Sequence, residues 1–139
     1  MTDPDFDRLI EDGHDVWREI VKGNAEPALR LYSRGDDVTL ANPFGGVVRG
    51  WSEVSQRLDA AAANFRNGVI RGFETIQSTV SGDFAYLVEI ERYSVEIGGS
   101  AEAAEVALRV TSVFRREDGV WKLVHRHADT RTRLDGTYG

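Results

Sequence analysis

The residues with chemical potential lie mostly in the second half of the chain. Glu89 and Glu91 stand two apart in a β-rich run, and Arg126 lies in another such run toward the C-terminus. A buried arginine must have a counter-ion, because an unpaired charge in the interior is costly, and Glu91 is the candidate partner. Such a pair in apolar surroundings could anchor a polar ligand or serve as a general acid/base. It could equally do no more than knit strands together. His125 and His127 are spaced as a zinc-binding His-x-His would be, with Asp129 beyond. A zinc site needs a further ligand, and His14 is remote in sequence, so no metal is expected. Ser112 has no Gly-x-Ser-x-Gly elbow around it and reads as a hydrogen-bonding group, not a nucleophile. Gly45-Gly46 and Gly98-Gly99 read as loop glycines without the pattern of a phosphate cradle, and no cofactor is expected.

Three helical segments come first. Thr2 or Asp3 followed by Pro4 is a helix-start signal, and Phe6, Leu9, Ile10, Trp17, Ile20 and Val21 then recur at helical spacing up to Gly23. Asn24 is placed to cap a short second helix, Glu26 to Ser33. A strand over Val38 to Ala41 leads into the turn Asn42-Pro43-Phe44-Gly45-Gly46 and a short extended piece, Val47-Val48. A third helix follows Gly50, with Trp51, Val54, Leu58, Ala61, Ala62 and Phe65 as its apolar stripe and Gly68 as its stop.

Strands make up the rest. Val69 to Val80, Phe84 to Ile97, Ala104 to Arg116 and Val120 to Asp129 are rich in β-branched and aromatic residues. Ser81-Gly82-Asp83, Gly98-Gly99-Ser100 and Glu117-Asp118-Gly119 connect them as hairpins. Helices first and strands after make an α+β domain spanning residues 1–139, with the tail after Asp129 loose. The last hairpin leaves the inner face of the final strand open. A type I turn with a bulge at Gly119 turns Lys122, Val124, Arg126 and Ala128 inward. A two-residue turn at Asp118-Gly119 turns His125 and His127 inward instead.

Composition bounds the partners. The chain has 139 residues, no cysteine and a net charge of −6, from 17 basic against 23 acidic side chains. Disulfides and thiolate metal sites are therefore excluded. The acidic balance argues against nucleic acid. No apolar run approaches the roughly 20 residues of a membrane span, and the polar N-terminus does not read as a secretory signal. The expected setting is cytoplasmic.

The segments LYSRGDDVTLANPFGG, SGDFAYLVEIERY and LRVTSVFRREDGVWKLVHRHAD, in this order, resemble the nuclear transport factor 2-like superfamily, SnoaL-like and ketosteroid isomerase-like proteins among them. The resemblance implies a cone-shaped curved antiparallel sheet, with the three helices of the N-terminal half enclosing a pocket. Matching to the ketosteroid isomerase pattern also turns Val124, Arg126 and Ala128 toward the ligand, favouring the bulged turn. It puts Trp121 and Leu123 on the convex face with the two histidines, where relatives pack subunit against subunit, so a homodimer is expected. The isomerases carry a catalytic aspartate before their Pro-x-Gly turn. Here that position is Asn42, which cannot be a base, and steroid-type isomerisation does not carry over. What remains is a small-molecule site. Glu91 and Arg126 are its acid/base or anchoring pair, Asn42 and Ser112 its hydrogen-bonders, and Trp17, Val54, Leu58, Phe65 and Val124 its apolar walls. The expected ligand is small and largely apolar, the expected chemistry a proton-transfer isomerisation, cyclisation or elimination. The alternative is a non-catalytic dimerisation or interaction domain, because the fold hosts both kinds.

Overall fold

The first helix begins where the sequence says a helix should. Asp3 caps it, its Oδ1 accepting the Phe6 N–H at 3.0 Å, and Pro4 occupies the first turn. A computed structural model describes residues 3–43 and 45–130 of the chain. Its elements are α1 (Pro4–Ile20), α2 (Glu26–Leu31), β1 (Thr39–Ala41), β2 (Val47–Arg49), α3 (Trp51–Ala63), β3 (Phe65–Ser81), β4 (Phe84–Ile97), β5 (Ala103–Glu117) and β6 (Val120–Thr130). The expected loose tail lies outside the described residues, apart from Thr130.

The six strands form one mixed, unclosed sheet in the order β2-β1-β6-β5-β4-β3. β3 to β6 are the expected antiparallel meander, while β1 lies parallel to β6, pairing Leu40 with Arg126. Three register shifts along β3 bend that long edge strand, as bulges do, and curl the sheet toward the helices. The core fills the concave side: Phe6, Val16, Trp17 and Ile20 from α1, Val54, Leu58 and Ala62 from α3, and alternate residues of β4 and β5.

The end of α3 departs from the sequence reading. α3 stops at Ala63, before the predicted stop at Gly68, and Phe65 opens β3 instead of closing the helical stripe. Asn67, with a left-handed φ of 57°, and Gly68 lie inside β3 at its first register shift, where Gly68 donates its N–H to Val21 O at 2.9 Å. That contact is possible only without a side chain: a Cβ on Gly68 would lie 2.3 Å from Val21 O. Glycine serves here for close approach between β3 and the end of α1, and not as a helix cap.

The last hairpin is the second correction. Glu117 pairs with Val120, and Asp118 and Gly119 both have positive φ, 51° and 79°, so the turn is the two-residue form. There is no bulge at Gly119; a different one lies farther along, between the pairs Val113–His125 and Phe114–Leu123, where Val124 is the extra residue. One residue of slip reverses the alternation. Trp121 and Leu123 therefore face inward before the bulge, against Phe6 and Phe114, and not outward as expected. Beyond it Arg126 and Ala128 face inward and His125 and His127 outward. Lys122, expected inside, lies on the outer face.

Candidate functional site

Alternation on β4 turns Glu89, Glu91 and Tyr93 to the concave side, all at 4% exposure or less. Leu108 of β5 faces Glu91 across the ladder, and Arg126 of β6 pairs with Ser112, farther along β5 on the same face. From there the guanidinium reaches over β5: Nη2 donates to both Glu91 carboxylate oxygens, at 3.1 and 3.3 Å. Its Cζ sits 3.8 Å from the centre of the Trp17 ring, a cation–π contact that covers the pair from α1. Both side chains are buried, at 7% and 3% exposure. Nη1 of Arg126 is buried too and has no hydrogen-bond partner in the protein. An orphaned charged donor inside a protein is unusual and calls for an explanation.

A second acid–base pair lies one step along the same strand. His14 of α1 meets Glu89 with Nε2 2.9 Å from Oε2, and its ring stacks on Phe73 at 3.7 Å and 3°. Burial pushes the Glu91 carboxyl above the usual carboxylate range; Arg126 pulls it down and the neighbouring Glu89 pushes it further up. Burial likewise raises the Tyr93 phenol, with Glu91 adding to the effect. The Tyr32 hydroxyl, raised chiefly by burial, donates to Thr39 O at 3.0 Å.

These groups wall a cavity of ≈ 50 Å³ between the sheet and the helices. Trp17, Ile20 and Val21 come from α1 and its end, Leu58 and Ala61 from α3. Glu91, Tyr93, Leu108, Arg126 and Ala128 form the floor, and Asn42 with Pro43 one side. That is room for a few waters or a small ligand group, since a water needs about 10–15 Å³ by this measure. An outer depression of ≈ 460 Å³ shares Asn42 and Ala61 with it and continues along Arg57, Ala60, Ala63 and Asn64. Arg57 Nη1 reaches Asn42 Oδ1 at 3.4 Å and Gly45 O, tying α3 to the turn beside the cavity.

The structure thus brings together Glu91, Arg126, Trp17, Asn42, Leu58 and Phe65 around one cavity. It leaves out three expected members. Val54 and Ser112 are buried but do not line it, and Val124 is spent on the bulge. Tyr93 was missed, although the same period-two alternation that selects Glu91 selects it. The His14–Glu89 contact spans 75 residues and left no local signal. His125 and His127 face away: Nδ1 of His125 meets Thr39 Oγ1 at 2.8 Å, and His127 Nε2 lies 3.8 Å from Asp129. Burial, then His127, lowers the His125 pKa. Among the described residues no three histidine, aspartate or glutamate side chains converge as metal ligands. No helix among them is long and apolar enough to cross a membrane.

A family model, the SnoaL-like domain, matches residues 15–129. No curated protein matches the sequence. The chain is similar in fold to a nuclear transport factor 2-like superfamily protein from Salmonella enterica serovar Typhimurium, at 16% identity and a TM-score of 0.78, covering 95% of each chain. A proposed dehydratase of the same family from Streptomyces avermitilis is 20% identical with a TM-score of 0.79, over 96% of this chain and 100% of that one. A ketosteroid isomerase-like protein from Erwinia carotovora atroseptica is 12% identical with a TM-score of 0.73, over 88% and 93%.

Proposed function

The chain belongs to the SnoaL-like domain family, and on that premise we propose that it binds a small, largely apolar molecule carrying one hydrogen-bond-accepting oxygen. Arg126 anchors that oxygen, and Glu91 moves a proton on the bound molecule in an isomerisation, cyclisation or elimination. The observation that carries this reading is Arg126 Nη1, a buried cationic donor without a protein partner at the wall of a cavity. A ligand oxygen there satisfies it, and such a charge-assisted bond is worth about twice a neutral one. The remaining walls are aromatic and aliphatic, as ligand sites generally are.

Glu91 suits the acid/base role because burial raises it toward neutrality, where a general acid/base works best. With the ligand's carbonyl oxygen on Arg126, negative charge developing on that oxygen meets a fixed cation. Asn42 lacks a titratable proton and contributes hydrogen bonding at the cavity edge. The names of two structural neighbours, a proposed dehydratase and a ketosteroid isomerase-like protein, belong to the same chemical class. The cavity is small, so larger ligands extend into the depression bounded by Asn42 and Arg57.

A thermal-shift panel of small ketones, enones and carboxylic acids tests the reading. A compound at 100 times its Kd stabilises by about 2.7 kcal/mol. Stabilisation of the native chain that is lost in Leu58→Phe, which fills the cavity, supports the site. No shift from any class, or an equal shift in that variant, defeats it.

The outer face of the sheet supports a second role alongside the first. Tyr86 is exposed and Val88, Ile90, Thr111 and Val113 are only half-covered, forming an apolar strip on adjacent strands. We propose a second copy of the chain as its cover, giving a homodimer. Light scattering showing a monomer at micromolar concentration would remove this proposal and leave the cavity reading intact.

A further inference from the structure

The His14–Glu89 contact has no part in holding a ligand, yet it lies beside the pair that does. His14 and Trp17 are three apart on α1 and so share a helix face; Glu89 and Glu91 are two apart on β4 and share a strand face. The two elements meet in matching order, His14 on Glu89 and Trp17 over the Glu91–Arg126 pair. The Cα atoms of the two glutamates are about 6.6 Å apart by strand geometry. Exposure drops from the His14 side chain, 18% exposed, to the two glutamates, at 2% and 3%.

We propose that His14 and Glu89 form the solvent-side arm of a four-group proton store whose inner end is Glu91, making His14 the positioning residue that sets the charge of the pocket carboxylate. Two carboxylates and one permanent cation, Arg126, are enclosed together. When His14 carries a proton, two positive charges face two negative ones and both glutamates stay ionised. When His14 is neutral, an uncompensated negative charge would remain in the interior, and a proton held on the carboxylate pair removes it. The proton that balances the cluster is thereby shared between the imidazole and the carboxylates, and it is exchanged with water at the His14 side. The other charged or titratable groups facing this cluster are Arg18 on α1, whose guanidinium lies 5.4 Å from the Phe73 ring centre, Tyr93 on β4, and Tyr32 after α2. Neither phenol supplies a second proton-exchanging site near neutrality, because burial raises both.

The role rests on Glu91 being the acid/base of the proposed site, but its test needs no ligand, so the two can fail separately. Side-chain carboxyl ¹³C shifts of Glu89 and Glu91 and ring ¹⁵N shifts of His14 are followed from pH 4 to pH 9 in the full chain. The expected result is a shared midpoint for the imidazole and a glutamate carboxyl. His14→Gln, a neutral side chain, should move the carboxyl midpoint up by more than about one pH unit, as coupled sites require. His14→Lys, which keeps the charge, should hold both glutamates ionised to lower pH than in the native chain. A purely structural contact lowers the melting temperature and leaves the midpoints in place. Independent titration of His14 and the glutamates, or unchanged carboxyl curves in whichever variant folds, overturns the proposal.

Discussion

Replacing Arg126 with methionine removes the cation that faces Glu91 and keeps most of the side-chain volume against Trp17. The carboxylate then has two options, to remain charged and unpaired in the interior or to take up a proton. Proton uptake sets a ceiling on the cost. From the ordinary glutamate value of 4.5, holding a proton at pH 7 costs about 3.4 kcal/mol, and at pH 5 about 0.7 kcal/mol. Glu91 is already raised by burial in the native fold, so the difference from native falls below that ceiling. For a chain of 139 residues the ceiling itself corresponds to a Tm lower by about 10 °C. The sign with pH follows from linkage. In the variant the folded state holds the Glu91 proton more tightly than the unfolded state does, so the stability it contributes is complete below the ordinary value and is lost as pH rises through the raised one. Thermal melts by circular dichroism at pH 5, 6, 7 and 8 read it directly. Adding Glu91→Leu should recover most of the loss at pH 7, because a buried ion pair replaced by apolar side chains is close to neutral. A deficit that does not vary with pH, or a double variant no more stable than Arg126→Met alone, refutes the pairing argument.

Three further outcomes follow from the packing and the turns. Gly68→Ala should cost about 1–3 kcal/mol in chemical denaturation, since its Cβ meets backbone at Val21 that cannot yield. Gly119→Ala, at a φ of 79°, should cost about 1 kcal/mol by the same measurement and leave the cavity unchanged. His125 has a lowered pKa in the folded chain, so its contribution is present above its ordinary value of 6.5 and lost as pH falls through the folded value. The native chain should therefore lose more stability between pH 8 and pH 5 than His125→Asn does.

The sequence carried the elements well because their signals are local. The Asp3-Pro4 cap, the apolar stripe of α1 and the hairpin glycines are each read within a few residues, and β4 lies where its composition placed it. The end of α3 was misread because Gly68 looks like a helix cap, whereas its lack of a side chain serves a contact with Val21, 47 positions earlier in the chain. The final strand shows the limit most clearly. Period-two alternation assigns faces only while register holds, and one bulge at Val124 turned Trp121 and Leu123 inward while keeping Arg126 inward as well. Glu91 with Arg126 was legible because a buried charge demands an opposite one. The His14–Glu89 pair was not, because nothing near either residue in sequence announces the other. The missing wall residues have the same origin: Val54 and Ser112 are on the inward faces expected of them, but which inward residues border empty space depends on how neighbouring side chains fill it.

Whether a ligand oxygen satisfies Arg126 Nη1 decides the proposed site. The most direct measurement is a crystal structure of the chain with the compound that stabilises it most in the thermal-shift panel. The expected result is an oxygen of that compound within hydrogen-bond distance of Nη1, its apolar part against Trp17 and Leu58, and Glu91 beside it. A compound seated elsewhere, or a cavity in which a protein group turns to satisfy Nη1 while the compound stays outside, contradicts the proposed site.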